Sequence, residues 1–327
     1  MAQLTSNTTA FIESQQYSQF ILDNLHDYLL PEGMYRDVTD FGSGTTLNIK
    51  TVGTVTLQDA AEDTPLNFTN IDTGTITLAI TDYIGDAWKV SDDLREDGSQ
   101  VDTLMAMRAM ESTRALGENH ESRFLTVANA GQTAANLNLV NGRPHRFVGS
   151  AAANARTITL ADFVAMKLSF DKANAPAGGR IAIVDPIVEA TLNTLISATT
   201  VVNNTPQFQG VLNEGFARDH RFVRNIMGWD IYTSNFLPSL TAAEAINATT
   251  VGLTNETAAI GDKANVFMCV ADDSCKPVMH AWRRAPQTEG WRAEEERGDK
   301  YQVTSRFGFG VQRLDTLGVV LTSPSAY

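Results

Sequence analysis

The sequence predicts an α+β chain with one domain inserted into another. Three observations lead there. Residues 45–81 alternate with a strand period, and residues 99–130 carry the longest helical pattern. A strand–turn–helix then opens at Arg180, and the chain returns to strands after residue 264. At 327 residues there is room for one large or two ordinary domains. With 43% hydrophobic and 19% charged residues, the chain can build a core and is not disordered throughout.

The first element lies over residues 9–30. Phe11, Ile12, Phe20, Ile21, Leu25, Tyr28 and Leu29 recur there at near-helical spacing, and Pro31-Glu32-Gly33 stops the run. This amphipathic helix has too little chain behind it to form a domain, so its apolar stripe needs another surface. The next two runs are TTLNIKTVGTVTL and GTITLAIT. In the second, Ile76, Leu78 and Ile80 fall on one side, and Thr75, Thr77, Ala79 and Thr81 on the other. This is a strand pattern with β-branched enrichment. The intervening QDAAEDTPLNFTNIDTG is acidic and poor in large apolar residues. The expectation is a long two-stranded ribbon with a polar tip, marginal on its own in water.

A weak capping box, Ser99 with Asp102, opens the long helix. Val101, Met105, Ala109, Leu116 and Val127 share about one quadrant, and Glu111, Arg114, Glu118 and Glu121 are expected on the opposing, solvated side. About thirty residues at 1.5 Å each give roughly 45 Å, a length suited to a spine against a sheet. Gly131 ends it, and the polar stretch up to Arg156 reads as loop. TLADFVAMKLSFDKA (159–173) is a further amphipathic helix. Arg180 to Val184 is an apolar strand, Asp185 a helix N-cap and Pro186 a first helical residue. GWDIYTSNFLP is expected as a strand ending at Pro238, and residues 239–264 as a surface insertion. NVFMCV, KPVMHAW, KYQVTSRFGFGVQRL and TLGVVLTS are strands, with APQTEGWRAEEERGDK a charged loop between two of them.

Composition narrows the function. Lys plus Arg total 25 against 38 Asp plus Glu, a formal charge of -13. Duplex binding that rests on neutralising phosphates is disfavoured at that balance. No apolar window is long enough to span a membrane, and the N-terminus lacks a signal-peptide pattern. Cys269 and Cys275 cannot make a disulfide framework, and a reducing compartment fits them. No Gly-Lys dipeptide exists for a phosphate loop, and Gly308-x-Gly310 lacks the third glycine of a dinucleotide loop. His120-Glu121 begins like a zinc-protease helix, but Phe124 stands where the second histidine belongs. A hydrolase would need converging His and carboxylates, and the spacing offers none. No cofactor, metal or catalytic residue is expected.

The order of elements resembles the HK97-like major capsid proteins of tailed phages. The ribbon TTLNIKTVGTVTL…GTITLAITDYIGDAWKVSDD carries the resemblance, with the helix SQVDTLMAMRAMESTRALGENHESRFLTVA, the unit RIAIVDPIVEATLNTLI and the C-terminal YQVTSRFGFGVQRLDTLGVVLTSPSAY. It covers nearly the whole chain. It implies an N-terminal arm (1–40), an extended E-loop ribbon (41–81) and a P-domain (82–179) with a spine helix over about 99–130. An inserted A-domain (180–264) and return strands (265–327) complete the implied plan. The implied function is a major capsid protein that self-assembles into hexamers and pentamers of an icosahedral shell around double-stranded DNA. Its partners would be many copies of itself, a separate scaffolding protein, a portal and, optionally, a decoration protein. The chain begins at Met1 with no long scaffolding segment, which is similar to the short-tailed, T7-like branch. Lys50 is the ribbon's only lysine and no glutamate catalyst is identifiable, so Lys–Asn crosslinking between subunits is not expected. Assembly would take place in the host cytoplasm, and the protein would reside in the virion. An encapsulin-type cargo shell is the alternative within the same fold.

Physics makes the resemblance coherent. The arm and the ribbon cannot bury themselves alone, and head-to-tail contacts between copies close into rings. The candidate intersubunit contacts are Asp59, Glu62 and Asp63 at the ribbon tip and Arg283, Arg284, Arg292 and Arg297 in the late segment.

Overall fold

A computed structural model describes residues 29–30, 33–39, 44–53, 55, 57–60, 62–63, 65–66, 68, 70–98, 101–131, 139–149, 156–197, 222–246 and 256–325. The opening helix expected over 9–30 falls outside these residues, apart from Leu29 and Leu30, which are not helical. Ser99 of the expected capping box also lies outside them.

Two sheets organise the molecule. The first has four strands in the order β1 (Arg36–Asp37), β12 (Val278–Ala293), β13 (Gly298–Val311) and β4 (Asp82–Ser91). Here β12, β13 and β4 run antiparallel, and β1 joins parallel to β12. The second has six strands in the order β5 (Arg146–Val148), β14 (Leu317–Thr322), β11 (Lys263–Cys269), β6 (Arg180–Val184), β8 (Trp229–Thr233) and β7 (Phe222–Ile226). Two small ribbons stand apart, β2 (Thr46–Val52) with β3 (Thr73–Ala79), and β9 (Glu244–Ile246) with β10 (Glu256–Ala258). A short helix, α1 (Asp92–Asp97), follows β4, with its N-terminus capped by the Ser91 hydroxyl.

The helix α2 (Val101–Ala130) is thirty residues long and lies against the four-stranded sheet. Val101, Leu116, Phe124, Leu125 and Ala128 are buried, and Met105, Ala109 and Val127 of the expected stripe are half-buried. Polar anchors fix it to β4: Arg123 pairs with Asp82 at 2.5 Å and Arg108 with Asp86 at 2.7 Å. One expectation is corrected. Glu121, read as solvated, is 6% exposed. Its carboxylate accepts the Leu30 N–H at 2.7 Å and the Ser234 hydroxyl at 2.5 Å. The helix is therefore covered on a second side, by the segment before β1 and the turn after β8. A single-stripe reading has no way to represent that.

The six-stranded sheet carries α3 (Leu160–Lys172) and α4 (Pro186–Ser197). Thr159 and Asp162 form a capping box at the start of α3. Asp185 precedes α4 as expected, its carboxylate accepting the Ile187 N–H at 3.2 Å. Phe163, Phe170, Trp229 and Phe267 meet edge to face in the core between sheet and helices. Burial of such a side chain stabilises by about 1.5–3 kcal/mol relative to exposure. A second core joins the two sheets, where Phe124 and Leu125 of α2 meet Ile183, Met268, Phe307 and Leu317.

Four further readings change. The stretch after Gly131 contains β5, which pairs parallel with β14. Three residues led by an arginine leave no period to detect, yet that arginine is buried: Arg146 pairs with Glu244 at 2.8 Å and donates to Asn129 at 2.9 Å. The strand β8 ends at Thr233, because the Ser234 hydroxyl turns the chain by accepting the Phe236 N–H. Residues 239–264 are more than surface: Leu240, Ala258 and Ala264 are buried with Val148, Val319 and Leu321. The charged loop over 285–300 is mostly the outer arms of the β12–β13 hairpin, and the turn itself is only residues 294–297. Strand arms solvated on both faces read as loop from composition.

Candidate subunit interface

The β2–β3 ribbon is built as expected. Its register is continuous from Thr46 opposite Ala79 to Val52 opposite Thr73. Among the described residues, its root is packed on its own chain. Leu78 and Ile80 are buried against Met279 and Ala281, with Leu47, Ile49 and Ile76 leaning on the same cluster. Two glycines make that crossing possible. A Cβ on Gly308 would sit 2.3 Å from the Ala79 carbonyl oxygen, and one on Gly310 would sit 2.8 Å from Leu78. The Gly-x-Gly pair that fails as a nucleotide loop is a flat bed for the ribbon.

Beyond the root, large apolar side chains stand in solvent among the described residues. Val55 is 81% exposed, Leu57 90% and Phe68 102%. Asp59, Glu62 and Asp63 lie among them, Asp63 in the left-handed region at φ 65°. Soluble chains rarely leave so many large apolar groups together in water, and such patches mark interaction surfaces.

At the ribbon's foot is a cleft of about 520 Å³ lined by Thr81, Tyr83, Arg283, Arg284 and Arg306. Arg284 on β12 stands directly opposite Arg306 on β13, and Arg306 directly opposite Tyr83 on β4. Like charges in that position repel. Glu289 offsets part of the repulsion by pairing with Arg284, whose Nε also donates to Gln287 at 3.2 Å. Arg306 makes no ion pair with any described residue. In a chain of net charge -13, this cleft gathers three arginines on one face.

The other two arginines lie at the far end of the hairpin. Arg292 grips Asp92 at 2.8 and 3.1 Å and reaches Asp299 at 3.6 Å. The guanidinium holds the Asp92 carboxyl below the usual carboxylate range, and Asp92 in turn raises Arg292. Arg297 occupies a left-handed turn position at φ 45°, its carbonyl accepting the Asp92 N–H at 3.1 Å. Nearby, Lys300 and Lys89 bond the Glu296 carboxylate and pull its pKa down to about 2. The structure thus brings Arg283 and Arg284 together and leaves Arg292 and Arg297 in a separate network within the chain. Arg306 was missed because it lies in a run read only for apolar alternation.

The family model for phage capsid protein matches residues 45–322. The chain belongs to that family. This phage capsid protein resembles solved shells along almost its whole length. The capsid of cyanophage P-SCSP1u superimposes with a TM-score of 0.67 at 17% identity, covering 96% of this chain and 94% of that one. The mature capsid of bacteriophage PhiM1 gives 0.68 at 11% identity, covering 96% and 93%. The capsid of a native GTA particle gives 0.59 at 13% identity, covering 99% of both chains. A search of curated proteins returns no match. The capsid protein is a structural, shell-forming subunit of the virion, a major capsid protein and not an enzyme.

Proposed function

We propose that this capsid protein is an HK97-type subunit of a closed icosahedral shell of hexamers and pentamers, held together in part by each ribbon tip docking in the arginine cleft of the next copy. The reading is supported by two surfaces of complementary charge, the acidic ribbon tip and the arginine cleft, that one chain cannot join by itself. The cleft lies at the ribbon's own foot, just past Ile80. Seven-residue arms at about 3.3 Å per residue put the tip on the order of 20 Å or more away. Asp59, Glu62 and Asp63 therefore meet Arg283, Arg284 and Arg306 on a sister copy. Repeated around an axis, such a contact closes a ring. Arg292 and Arg297 serve the hairpin's far end instead.

The arm (1–40), ribbon (41–81), P-domain (82–179), A-domain (180–264) and return strands (265–327) are the working parts of this proposal. The late strands β11 and β14 pair with β6 and β5 and so tie the last part to the earlier ones. A short-tailed phage with a separate scaffolding protein and a portal is the setting it fits best, with assembly in the host cytoplasm. The net charge of -13 suits an inner wall that does not grip packaged double-stranded DNA.

The test is charge reversal read by electron microscopy. Arg283→Glu with Arg284→Glu and Arg306→Glu stops closed shells from forming, and adding Asp59→Lys, Glu62→Lys and Asp63→Lys restores them. Unchanged shells in the arginine variant would refute the contact. Closed particles enclosing protein cargo rather than DNA would assign the chain to the encapsulin alternative.

A further inference from the structure

Where the chain enters the described fold, two imidazoles face each other. His120 on α2 and His280 on β12 place their Nε2 atoms 3.1 Å apart. His280 is wholly buried, and its Nδ1 has no hydrogen-bond partner among the described residues. The surroundings are aromatic. Trp282 stacks on His120 with centroids 5.0 Å apart and planes 9° apart, Tyr35 packs on both imidazoles, and Phe309 touches both at 4.8 Å.

This geometry suits one protonation state. Two neutral imidazoles share a single Nε2 proton, one ring donating and the other accepting. A proton added to the acceptor leaves two N–H groups aimed at each other. Further protonation sets two like charges about 3 Å apart in a dry pocket, which is strongly unfavourable.

Few neighbouring groups can compensate. On α2 the adjacent carboxylate, Glu121, already binds the Leu30 N–H and the Ser234 hydroxyl. On β1 Asp37 lies opposite His280, and its Oδ1 accepts the Thr39 N–H and hydroxyl. Tyr35 adds only a phenol, and β12 and β13 contribute Trp282, Phe307 and Phe309, which do not titrate. A cavity of about 340 Å³ lined by Leu29, Tyr35, His120, Trp282, Pro286 and Ser305 gives water a way in once the contact parts.

We propose that His120 and His280 form an acid-opened latch, which holds α2, β12 and the Met34–Asp37 segment together while neutral and releases them on protonation. Burial lowers both imidazoles from 6.5 to about 4, and the mutual repulsion of the pair adds to it at His280. A group whose pKa is depressed in the folded state, and whose charged form is the acid, contributes fully above its unfolded value. The latch is therefore intact above pH 6.5 and weakens as the pH falls toward 4. It involves no neighbouring copy, so it stands apart from the shell reading.

Hydrogen exchange on the full chain, unassembled and assembled, tests it. Protection over residues 33–39 and 116–128, corrected for intrinsic rates, falls at least about tenfold between pH 6.5 and 4, each proton taken up being worth up to tenfold per pH unit. His120→Phe with His280→Phe keeps both rings in the aromatic cluster and removes both titrations, so its loss over the same range stays below about twofold. Equal losses in both proteins would overturn the latch. If the variant does not fold, NMR titration of the wild-type imidazoles decides: midpoints near 4 support the latch, and ordinary midpoints near 6.5 overturn it.

Discussion

Arg284 and Arg306 face each other across the β12–β13 pair, with Glu289 the acid that pairs with Arg284. Two guanidinium groups held in register cost the isolated subunit stability, and an incoming carboxylate would recover it. Arg306→Gln is expected to raise the urea midpoint of the unassembled subunit, by about 0.2–1 kcal/mol of cross-strand repulsion removed. The same variant should assemble more slowly by light scattering. A subunit that loses stability on this change would mean that Arg306 is already balanced within its own chain.

Gly308 lies beneath the ribbon's root. Gly308→Val forces a side chain into the Ala79 carbonyl, so the ribbon must lift or β13 must bend. Overpacking of this kind costs about 1–3 kcal/mol. Limited proteolysis should then cut between residues 44 and 80 faster than in the wild type, while the six-stranded sheet stays protected.

Arg146 is 1% exposed and bonds Glu244 and Asn129. Arg146→Ala leaves both partners with unanswered polar atoms, and breaking a buried pair from one side costs about 3–5 kcal/mol. Arg146→Ala with Glu244→Ala should recover part of that loss in a urea-denaturation cycle. A single variant as stable as the wild type would show that water replaces the guanidinium without cost.

Acid acts on this molecule in two windows that meet near pH 4. The Glu296 carboxyl is held at about 2 by Lys300 and Lys89, so its contribution is present above its ordinary value near 4.5 and is lost as the pH falls toward 2. Glu296→Gln should flatten the stability profile only below about pH 4.5 and leave the histidine window above it unchanged. Because the carboxylate is exposed, added salt should shrink the effect. Thermal unfolding across pH at two ionic strengths reads both.

Much of the architecture was legible because it rests on period. The alternation around Ile76, Leu78 and Ile80, the run from Val101 to Ala130 and the Asp185-Pro186 start are each local signals. The structure realises them as written. The missed features depend on partners distant in sequence. Glu121 is buried because Leu30 and Ser234 come to it from positions 91 and 113 residues away. β5 exists because β14 supplies its ladder, and Arg146 reads as a surface residue until Glu244 arrives. The cleft was half legible. Arg283 and Arg284 are adjacent in sequence, whereas Arg306 joins them only through the hairpin register.

The root of the ribbon has a mechanical consequence. Leu78 and Ile80 press on Met279 and Ala281, the two residues flanking His280, whose own side chain points to the opposite face of β12. One strand thus carries a long lever on one side and a titrating pair on the other. Any load that a neighbour places on the lever arrives at the strand that carries His280, so strain within a lattice and acidity in the medium act on the same joint.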